Sequence, residues 1–354
     1  MTAIEWTHMP GYRGETWNPV RGCSIVSKGC TNCYAMKQAH RFSGPGGAYE
    51  GLTMLTNGGP VWTGAVRTVP DMLDKPLRAR VPTCYFVNSM SDLFHEDVPD
   101  EFIDQVFAVM ALSPQHRFLI LTKRPERMLA YTNGAGVAAR VEDAAKLLRE
   151  KPSSAFRVYP VGPRGEFGDR WFCHPWPPEN VYLGVSVEDQ ATADERIPLL
   201  LQTPAAVRFV SYEPALGAVD FGPWVFDAAT DMAMRGDPLA AALMRQSVED
   251  GSGWMAPTLD WIIVGGESGP KARPFDVAWA RSTIEQCRAA GVPVFVKQLG
   301  RRPFDKSRPM TTDELRRKRG AVSGRVYIGP ALADRKGKDM AEWPEDLRVR
   351  EWPR

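Results

Sequence analysis

Six short apolar segments, each followed by polar residues, constrain the fold of this chain more than any other feature of its sequence. The segments are residues 84–87, 118–121, 181–185, 207–210, 261–264 and 292–296. Near-continuous apolar runs that alternate with amphipathic helices are typical of a parallel sheet covered by helices. Residues 4–7 add a possible first strand, so the sequence predicts about seven parallel strands.

Two helices between these segments have clear sequence signals. Residues 98–112 place their apolar side chains on one face, as in a helix that packs on a sheet. A second helix begins after Asp276, a good N-cap residue, and ends at Gly291. We therefore interpret the chain as an α/β fold with a partial or complete TIM-like barrel. A doubly wound open sheet is the alternative, because the sequence does not show the strand order.

Polar, chemically capable residues follow every one of the apolar segments. Functional sites in parallel α/β folds lie at the carboxyl ends of the strands. We therefore expect these side chains to surround one mouth of the barrel. The residues are Ser89, Asp92, Lys123, Ser186, Glu188, Glu213, Glu267 and Lys297.

Half of the six cysteines stand within eleven residues, at Cys23, Cys30 and Cys33. Thiolates are soft ligands, and three on one loop suit a soft metal or an iron–sulfur cluster. Gly22 and Gly29 each precede a cysteine and allow the loop to curl. Three thiolates would leave one iron of a [4Fe–4S] cluster free to bind a substrate.

A structural zinc site is the alternative for these cysteines, since His40 would complete a Cys3His set. Cys84 and Cys287 lie on predicted core faces and are expected to be small buried side chains.

The chain shows neither an N-terminal signal segment nor an apolar run of the ~20 residues that a membrane helix needs. A cytoplasmic protein is expected, and in that compartment clustered cysteines favour metal over disulfide.

The cysteine loop resembles that of radical S-adenosylmethionine (SAM) enzymes. Their common pattern is C-x3-C-x2-C; this chain keeps the second half, from Cys30 to Cys33, with a longer first spacing and Asn32 where an aromatic residue is usual. The whole chain is similar to a phage-associated, radical-SAM-like three-cysteine family of uncharacterised function. The shared blocks are 5–7, 17–19, 88–92, 121–125, 184–188, 211–214, 265–269 and 342–347.

This resemblance implies a cofactor and a set of binding residues. Cys23, Cys30 and Cys33 would bind three irons of a [4Fe–4S] cluster, and SAM would chelate the fourth iron and be cleaved to a 5′-deoxyadenosyl radical. The implied SAM contacts are Asn88, Ser89, Ser91 and Asp92 for the amino end, Lys123 and Arg124 for the carboxylate, Ser186 and Glu188 for the ribose, and Tyr34 near the adenine. The candidate catalytic residues are Tyr212, Glu213, Glu267 and Lys297, with the alternative that Glu213 and Glu267 support SAM instead of facing the substrate.

The expected substrate is a nucleobase, and specifically a modified thymidine in phage DNA that the enzyme rearranges or isomerises. Repair of a damaged pyrimidine by the lyases of spore DNA is the nearest chemistry. A phage-infected or prophage-bearing bacterial host would then supply the DNA, and flavodoxin or ferredoxin the electron. Two alternatives stay open: a radical SAM enzyme for a peptide or small molecule, and a zinc-bound, non-catalytic nucleic-acid-binding protein.

We expect a barrel over residues 1–300, with insertions near 43–66, 151–180 and 218–258. A basic extension over residues 301–354 is expected to pack on the barrel. The net charge is only +2, but residues 301–338 are rich in arginine and lysine. Such runs are usually solvated surface, and they also suit a phosphate backbone.

Overall fold

The computed structural model describes residues 4–150, 176–226, 257–309, 327–330 and 332–353. Its strands are β1 Arg13–Trp17, β2 Val20–Arg21, β3 Thr53–Thr56, β4 Gly59–Trp62, β5 Arg67–Thr68, β6 Thr83–Val87, β7 Arg117–Thr122, β8 Val181–Val187, β9 Val207–Tyr212, β10 Trp261–Gly265, β11 Phe275–Asp276, β12 Val294–Gln298, β13 Pro303–Pro309 and β14 Tyr327–Ile328. Its helices are α1 Tyr34–His40, α2 Lys75–Arg78, α3 Asp100–Ala111, α4 Pro125–Thr132, α5 Val137–Glu150, α6 Gln190–Gln202, α7 Gly222–Val225 and α8 Val277–Ala290.

Seven strands form one sheet in the order β1-β6-β7-β8-β9-β10-β12. The pairs β1–β6, β6–β7, β7–β8 and β10–β12 are parallel. The strands follow one another in chain order, with β1 and β12 at the two ends of that order. A doubly wound sheet would reverse its order at a switch point. The predicted parallel fold with a partial TIM-like strand order is therefore confirmed, and the doubly wound alternative is wrong.

The first strand is not where the sequence placed it. Glu5–Thr7 is a 3-10 turn, in which the Thr7 hydroxyl donates to the Ile4 carbonyl at 2.7 Å. Trp6 is buried there and contacts the rings of Phe86 and Phe209. The turn is favoured because this short segment closes its own hydrogen bonds, and β1 begins only at Arg13.

The last strand of the sheet is displaced by two residues from its predicted position. Val292 N donates to Cys287 O at 2.9 Å, so Val292 still belongs to the end of α8. Helix α8 itself is confirmed: the Asp276 side chain accepts from Ala278 N, and Gly291 has a φ of 69°. Helix α3 likewise lies within its predicted range, and buried Cys84 and Cys287 confirm their predicted core positions.

The chain divides into two compact units. The first unit contains residues 1–186 and 196–209, and the second contains residues 187–195 and 210–354. The division predicted at residue 300 stays a prediction. The predicted insertions 151–180 and 218–258, and the basic run 301–338, lie partly outside the described residues. In the described part of the chain, every helix is too short or too polar to cross a membrane.

A small apolar cluster in the first unit supports the cysteine-bearing segment. Residues of α1, the β3–β4 hairpin and the adjoining turns form it: Ala35, Met36, Ala39, Tyr49, Leu52, Trp62 and Met90. Cys23 and Cys33 pack against this cluster. The predicted insertion 43–66 thus supplies part of the support of the cysteine loop.

In the second unit the end of the chain lies against β12. Val296 N donates to Val349 O at 2.9 Å, and Trp261 Nε1 donates to Glu351 O at 2.9 Å. Arg350 lies over the ring of Phe295, with its guanidinium carbon 5.2 Å from the ring centroid. These contacts cover the outer strand of the sheet, whose edge would otherwise expose unpaired backbone groups.

Gly184 allows β8 to pack closely on Phe209 within the first unit. A Cβ atom at position 184 would lie 2.6 Å from the Phe209 ring, well inside van der Waals contact. The ring is fully buried and has little room to move. Glycine at this position is therefore a packing requirement of the sheet.

We expect Gly184→Ala to lower the free energy of unfolding by about 1–3 kcal/mol, the usual cost of overpacking a core. Gly44→Ala is the matched control, because a Cβ there meets open space. Denaturant unfolding followed by circular dichroism measures both variants. Equal stability of the two variants would contradict the packing role of Gly184.

Candidate cofactor site

Cys23, Cys30 and Cys33 are free thiols on the loop between β2 and α1, and all three are partly buried. Gly22 has a φ of +89°, and a Cβ there would lie 2.2 Å from the Ala65 carbonyl oxygen. Only glycine fits that position, which starts the loop. Backbone geometry therefore explains why a glycine precedes Cys23.

The turn after β6 fixes the start of this loop. Asn88 has a left-handed φ of 57°, and its Oδ1 accepts from Val20 N at 3.2 Å. Its own N–H donates to Trp17 O at 2.8 Å. Ser91 Oγ donates to Val20 O at 2.8 Å, and Ser91 forms a parallel bridge with Gly22. Asn88 and Ser91 therefore hold the segment that leads into Cys23.

The same turn contacts both ends of the loop. Ser89 Oγ donates to Asn18 Oδ1 at 3.1 Å, before the loop. The hydroxyl of Tyr34, directly after Cys33, donates to Ser89 O at 2.6 Å. Tyr34 is 57% exposed, and this hydrogen bond fixes the position of its ring.

Asp92 lies at the centre of a hydrogen-bond network and is 5% exposed. Its Oδ1 accepts from Phe94 N at 3.0 Å and from Thr122 Oγ1 at 2.7 Å. Its Oδ2 accepts from Lys123 N at 3.2 Å and from Arg124 Nη1 at 3.1 Å. In this arrangement Asp92 joins the ends of β6 and β7, and its carboxylate has all four of its usual acceptor directions in use.

Arg124 connects this network to the cysteine loop. Its Nη2 donates to Ser24 Oγ at 2.6 Å, and its Nε donates to Glu96 Oε2 at 2.9 Å. The side chain is only 11% exposed. Ser24 is the neighbour of Cys23, so Arg124 holds the first cysteine in place relative to Asp92.

His95 is a second contact of Ser24 that the sequence analysis missed. Its Nδ1 accepts from Asp97 N at 3.2 Å, which leaves the hydrogen on Nε2. Nε2 lies 2.9 Å from Ser24 Oγ and donates to it. Burial, aided by the Arg124 charge, lowers the pKa of His95 and favours this neutral form. The available signal was the position of His95 and Glu96, two charged or titratable residues that follow the block 88–92 after Leu93 and Phe94.

Lys123 brings three predicted site residues together. Its Nζ forms a short hydrogen bond with Ser186 Oγ at the end of β8. Its charge also acts on the thiol of Cys33. Lys123, Ser186 and Cys33 are therefore neighbours, as expected of residues at the carboxyl ends of adjacent parallel strands.

The thiols influence one another electrostatically. Burial, together with the smaller effects of Asp92, Cys33 and Cys30, raises the pKa of Cys23 to about 12, although the Arg124 charge lowers it. Burial also raises the pKa of Cys33. The backbone N–H groups of Ala35 and Met36 and the charge of Lys123 lower it, but their effect is smaller than that of burial. The Cys23 and Cys33 thiols are therefore protonated at neutral pH, and a metal would have to displace their protons.

The described residues contain no group of three or more His, Cys, Asp or Glu side chains that could hold a metal ion. His40 Nδ1 lies 3.1 Å from Thr53 Oγ1 and 3.3 Å from Ser43 Oγ. The Cys3His zinc site that the sequence left open is therefore not formed among these residues.

The second unit holds the remaining predicted residues. Glu213 Oε2 pairs with Lys297 Nζ at 2.6 Å, and Glu213 Oε1 accepts from Gln298 Nε2 at 3.1 Å. Glu267 accepts from Arg273 N at 2.8 Å and forms a bidentate ion pair with its guanidinium. Gln298 and Arg273 are partners that the sequence analysis missed.

Tyr212 and Glu188 are both fully buried in the second unit. The Tyr212 hydroxyl donates to Gly217 O, and its ring packs on Phe221. Burial raises the pKa of this phenol, so it stays protonated. Glu188 O accepts from Leu216 N at 2.7 Å. In this structure the Tyr212 hydroxyl supports the fold around it.

A family model described as "Protein of unknown function (DUF5131)" matches residues 1–334. The chain belongs to the DUF5131 family. Two solved structures of spore photoproduct lyase, a cysteine-to-serine mutant and a complex with dinucleoside spore photoproduct, are similar to the DUF5131 chain at TM-scores of 0.34 and 0.33. The sequence identities are 11% and 9%, over 91% and 89% of this chain and 70% and 68% of theirs. No curated protein matches the chain.

We expect Asp92→Asn to destabilise the DUF5131 chain by about 3 kcal/mol, because it leaves the buried Arg124 with only the exposed Glu96 as a charged partner. The loop at Cys23 should loosen at the same time, which speeds alkylation of its thiol. Chemical unfolding and mass spectrometry of the alkylated Cys23 peptide measure the two effects.

The control is Asp100→Asn, which removes a largely exposed ion pair with Arg127. Such surface pairs contribute about 0–1 kcal/mol. If Asp92→Asn were as stable as this control and Cys23 were alkylated at the wild-type rate, the network would not hold the loop.

Proposed function

We propose that this protein is a radical SAM enzyme that binds a [4Fe–4S] cluster through Cys23, Cys30 and Cys33. The observation that carries the proposal is the clamped cysteine loop. Three free thiols stand on one loop whose two ends are hydrogen-bonded to the turn after β6. Such a loop has ligands of the right softness and a fixed position at the carboxyl end of a parallel sheet.

The residues present fit a cluster in the chemistry of their donors, because three cysteine sulfurs on one loop are the ligands that iron–sulfur clusters use. A cluster is held by thiolates on different irons, which are spread more widely around a larger body. The mutual electrostatic influence of Cys23, Cys30 and Cys33 is consistent with thiols around one space. When bound, the cluster with SAM would supply the reductive cleavage that yields a 5′-deoxyadenosyl radical.

The chain's own residues would bind and orient SAM. Lys123 is proposed to bind its carboxylate, because the ammonium group lies beside Ser186 and close to Cys33. Ser186 and Glu188 are proposed to bind the ribose, and Tyr34 to lie near the adenine. Asn88, Ser89, Ser91 and Asp92 remain candidates for the amino end.

Glu213 and Lys297 are the proposed substrate-facing pair, together with Glu267. Glu213 and Lys297 are each less than one-fifth exposed and share a 2.6 Å ion pair. A paired carboxylate and ammonium can move or hold a proton once a substrate disturbs the pair. Tyr212 would then position Glu213, its neighbour at the end of β9.

The proposed substrate is a nucleobase in DNA, with a modified thymidine of phage DNA as the specific case. The resemblance to a phage-associated family supports this choice. Flavodoxin or ferredoxin of a bacterial cytoplasm is the proposed electron donor.

Anaerobic reconstitution with iron and sulfide should give a brown protein with about four irons per chain. Its reduced EPR spectrum should change when SAM is added, and 5′-deoxyadenosine should be released. Cys30→Ala should lose the cluster, because it removes one of three ligands. Cys287→Ala should retain it, because that thiol is buried in α8. A colourless wild-type protein that keeps zinc and ignores SAM would refute the proposal.

Lys123→Ala should weaken SAM binding by about tenfold or more, the effect of losing one charge-assisted hydrogen bond. Iron content should stay near the wild-type value, because Lys123 is not a ligand. Anaerobic titration calorimetry of the reconstituted protein measures the Kd. Lys146→Ala, at an exposed lysine paired with Asp143, is the control. An unchanged Kd for Lys123→Ala would exclude the carboxylate role.

A further inference from the structure

The segment that carries the cysteines is strongly basic, although the whole chain is nearly neutral. Residues 18–70, called here the cysteine segment, contain one acidic residue, Glu50. The basic residues of the segment are Arg21, Lys28, Lys37, Arg41 and Arg67. The full chain has 44 basic and 42 acidic residues, so this imbalance is local.

The fold holds two of these arginines side by side and uses the acidic residue elsewhere. Arg21 and Arg67 are cross-strand partners in the β2–β5 pair. They donate to the backbone oxygens of Ala48 and Glu50, at 3.4 and 3.0 Å. The Glu50 carboxylate accepts from Gly46 N at 2.8 Å. Like charges placed together cost energy unless an anion binds between them.

Large apolar side chains of the same segment are exposed around the cysteines. Ile25 and Val26 follow Cys23 and are 57% and 42% exposed. Tyr34 follows Cys33 and is 57% exposed, and Phe42, just after α1, is 53% exposed. The β3–β4 hairpin adds Met54 and Leu55 at 50% and 70%. These residues are most of the exposed large apolar side chains in the described part of the chain.

We propose that the cysteine segment is the docking face for the nucleic acid, and that it binds an unpaired strand. Exposed aromatic rings and interspersed cations are what such a strand requires, because bases stack on the rings and cations neutralise phosphates. Phe42 is suited to stacking, since it is 53% exposed just after α1. This inference rests on the proposed function, and it places the substrate strand at the cysteine loop.

This proposal puts the binding face at the segment 18–70, whereas in the sequence alone the run that also suits a phosphate backbone is residues 301–338. The aromatic residues decide between nucleic acid and an acidic electron-donor protein. Charge alone would serve both partners, but two half-exposed rings beside the cysteines suit flat bases. Binding of an acidic electron-donor protein to this face is therefore one of the results that the test can detect.

The test measures binding of a short fluorescein-labelled single-stranded DNA of mixed sequence by anisotropy, over a series of salt concentrations. Arg41→Gln/Arg67→Gln should weaken binding and reduce the slope of log K against log salt by up to about 0.7 per residue. Phe42→Ala should weaken binding about fivefold or more at every salt concentration, and Phe42→Tyr should restore it.

The matched control is Arg78→Gln/Arg80→Gln. These arginines line a cleft of about 310 Å³ that also contains Arg13, Glu15 and Lys75, next to Thr83 at the start of β6. That cleft lies at the amino ends of the strands, away from the turn after β6. The control also removes two positive charges from the first unit, but binding should stay at the wild-type level.

Iron content and SAM cleavage are measured in the same variants. A failure of the docking face can then be distinguished from a failure of the proposed radical SAM function. Wild-type DNA binding by Arg41→Gln/Arg67→Gln and Phe42→Ala would overturn the docking face while leaving a cluster-bearing enzyme intact. The docking face would also be overturned if the Arg301→Gln/Arg302→Gln variant lost DNA binding while the variants of the cysteine segment kept it. Unchanged DNA binding with slower reduction by flavodoxin would assign the face to the electron donor and overturn the inference.

Discussion

The buried ion pair between Asp92 and Arg124 is the interaction on which the candidate site depends. Burying two charges is costly, and the cost is offset only when every polar atom finds a partner. Asp92 accepts four hydrogen bonds, and Arg124 donates also to Ser24 and Glu96. The pair therefore ties together the end of β6, the end of β7 and the loop at Cys23, three segments that are distant in sequence.

The cysteine loop needs such support because it has little regular structure of its own. Between β2 and α1 it contains one 3-10 turn, Lys28–Cys30. Its position is set by side chains of the turn after β6, above all Asn88, whose left-handed backbone directs Oδ1 to Val20 N. Asparagine tolerates that conformation better than most residues. A loop placed in this way holds its cysteines in position relative to the ends of β6 and β7.

The sequence was sufficient for strands β6 to β10 and β12 and for the polar residues that follow them, but not for β1 or for the partners of those polar residues. Buried apolar runs predict β6 to β10 because burial on both faces excludes polar residues. Asn88 and Ser91 were correctly placed at a strand end, yet their hydrogen bonds to Val20 join residues 68 and 71 positions apart. No local pattern encodes such pairs. The turn at Glu5–Thr7 was missed because four residues are too few to distinguish a strand from a turn.

The two cations at the end of β7 are not equivalent, although the sequence presents them side by side. Arg124 has its charge balanced by Asp92 and Glu96, and all three of its nitrogen groups donate to neighbouring side chains. Lys123 places its ammonium group against the neutral hydroxyl of Ser186, close enough to Cys33 to act on its thiol. An anionic ligand group would have to break this buried ion pair to reach Arg124. Arg124 is therefore the residue that keeps the cysteine loop in place, and Lys123 stays the proposed contact of a carboxylate.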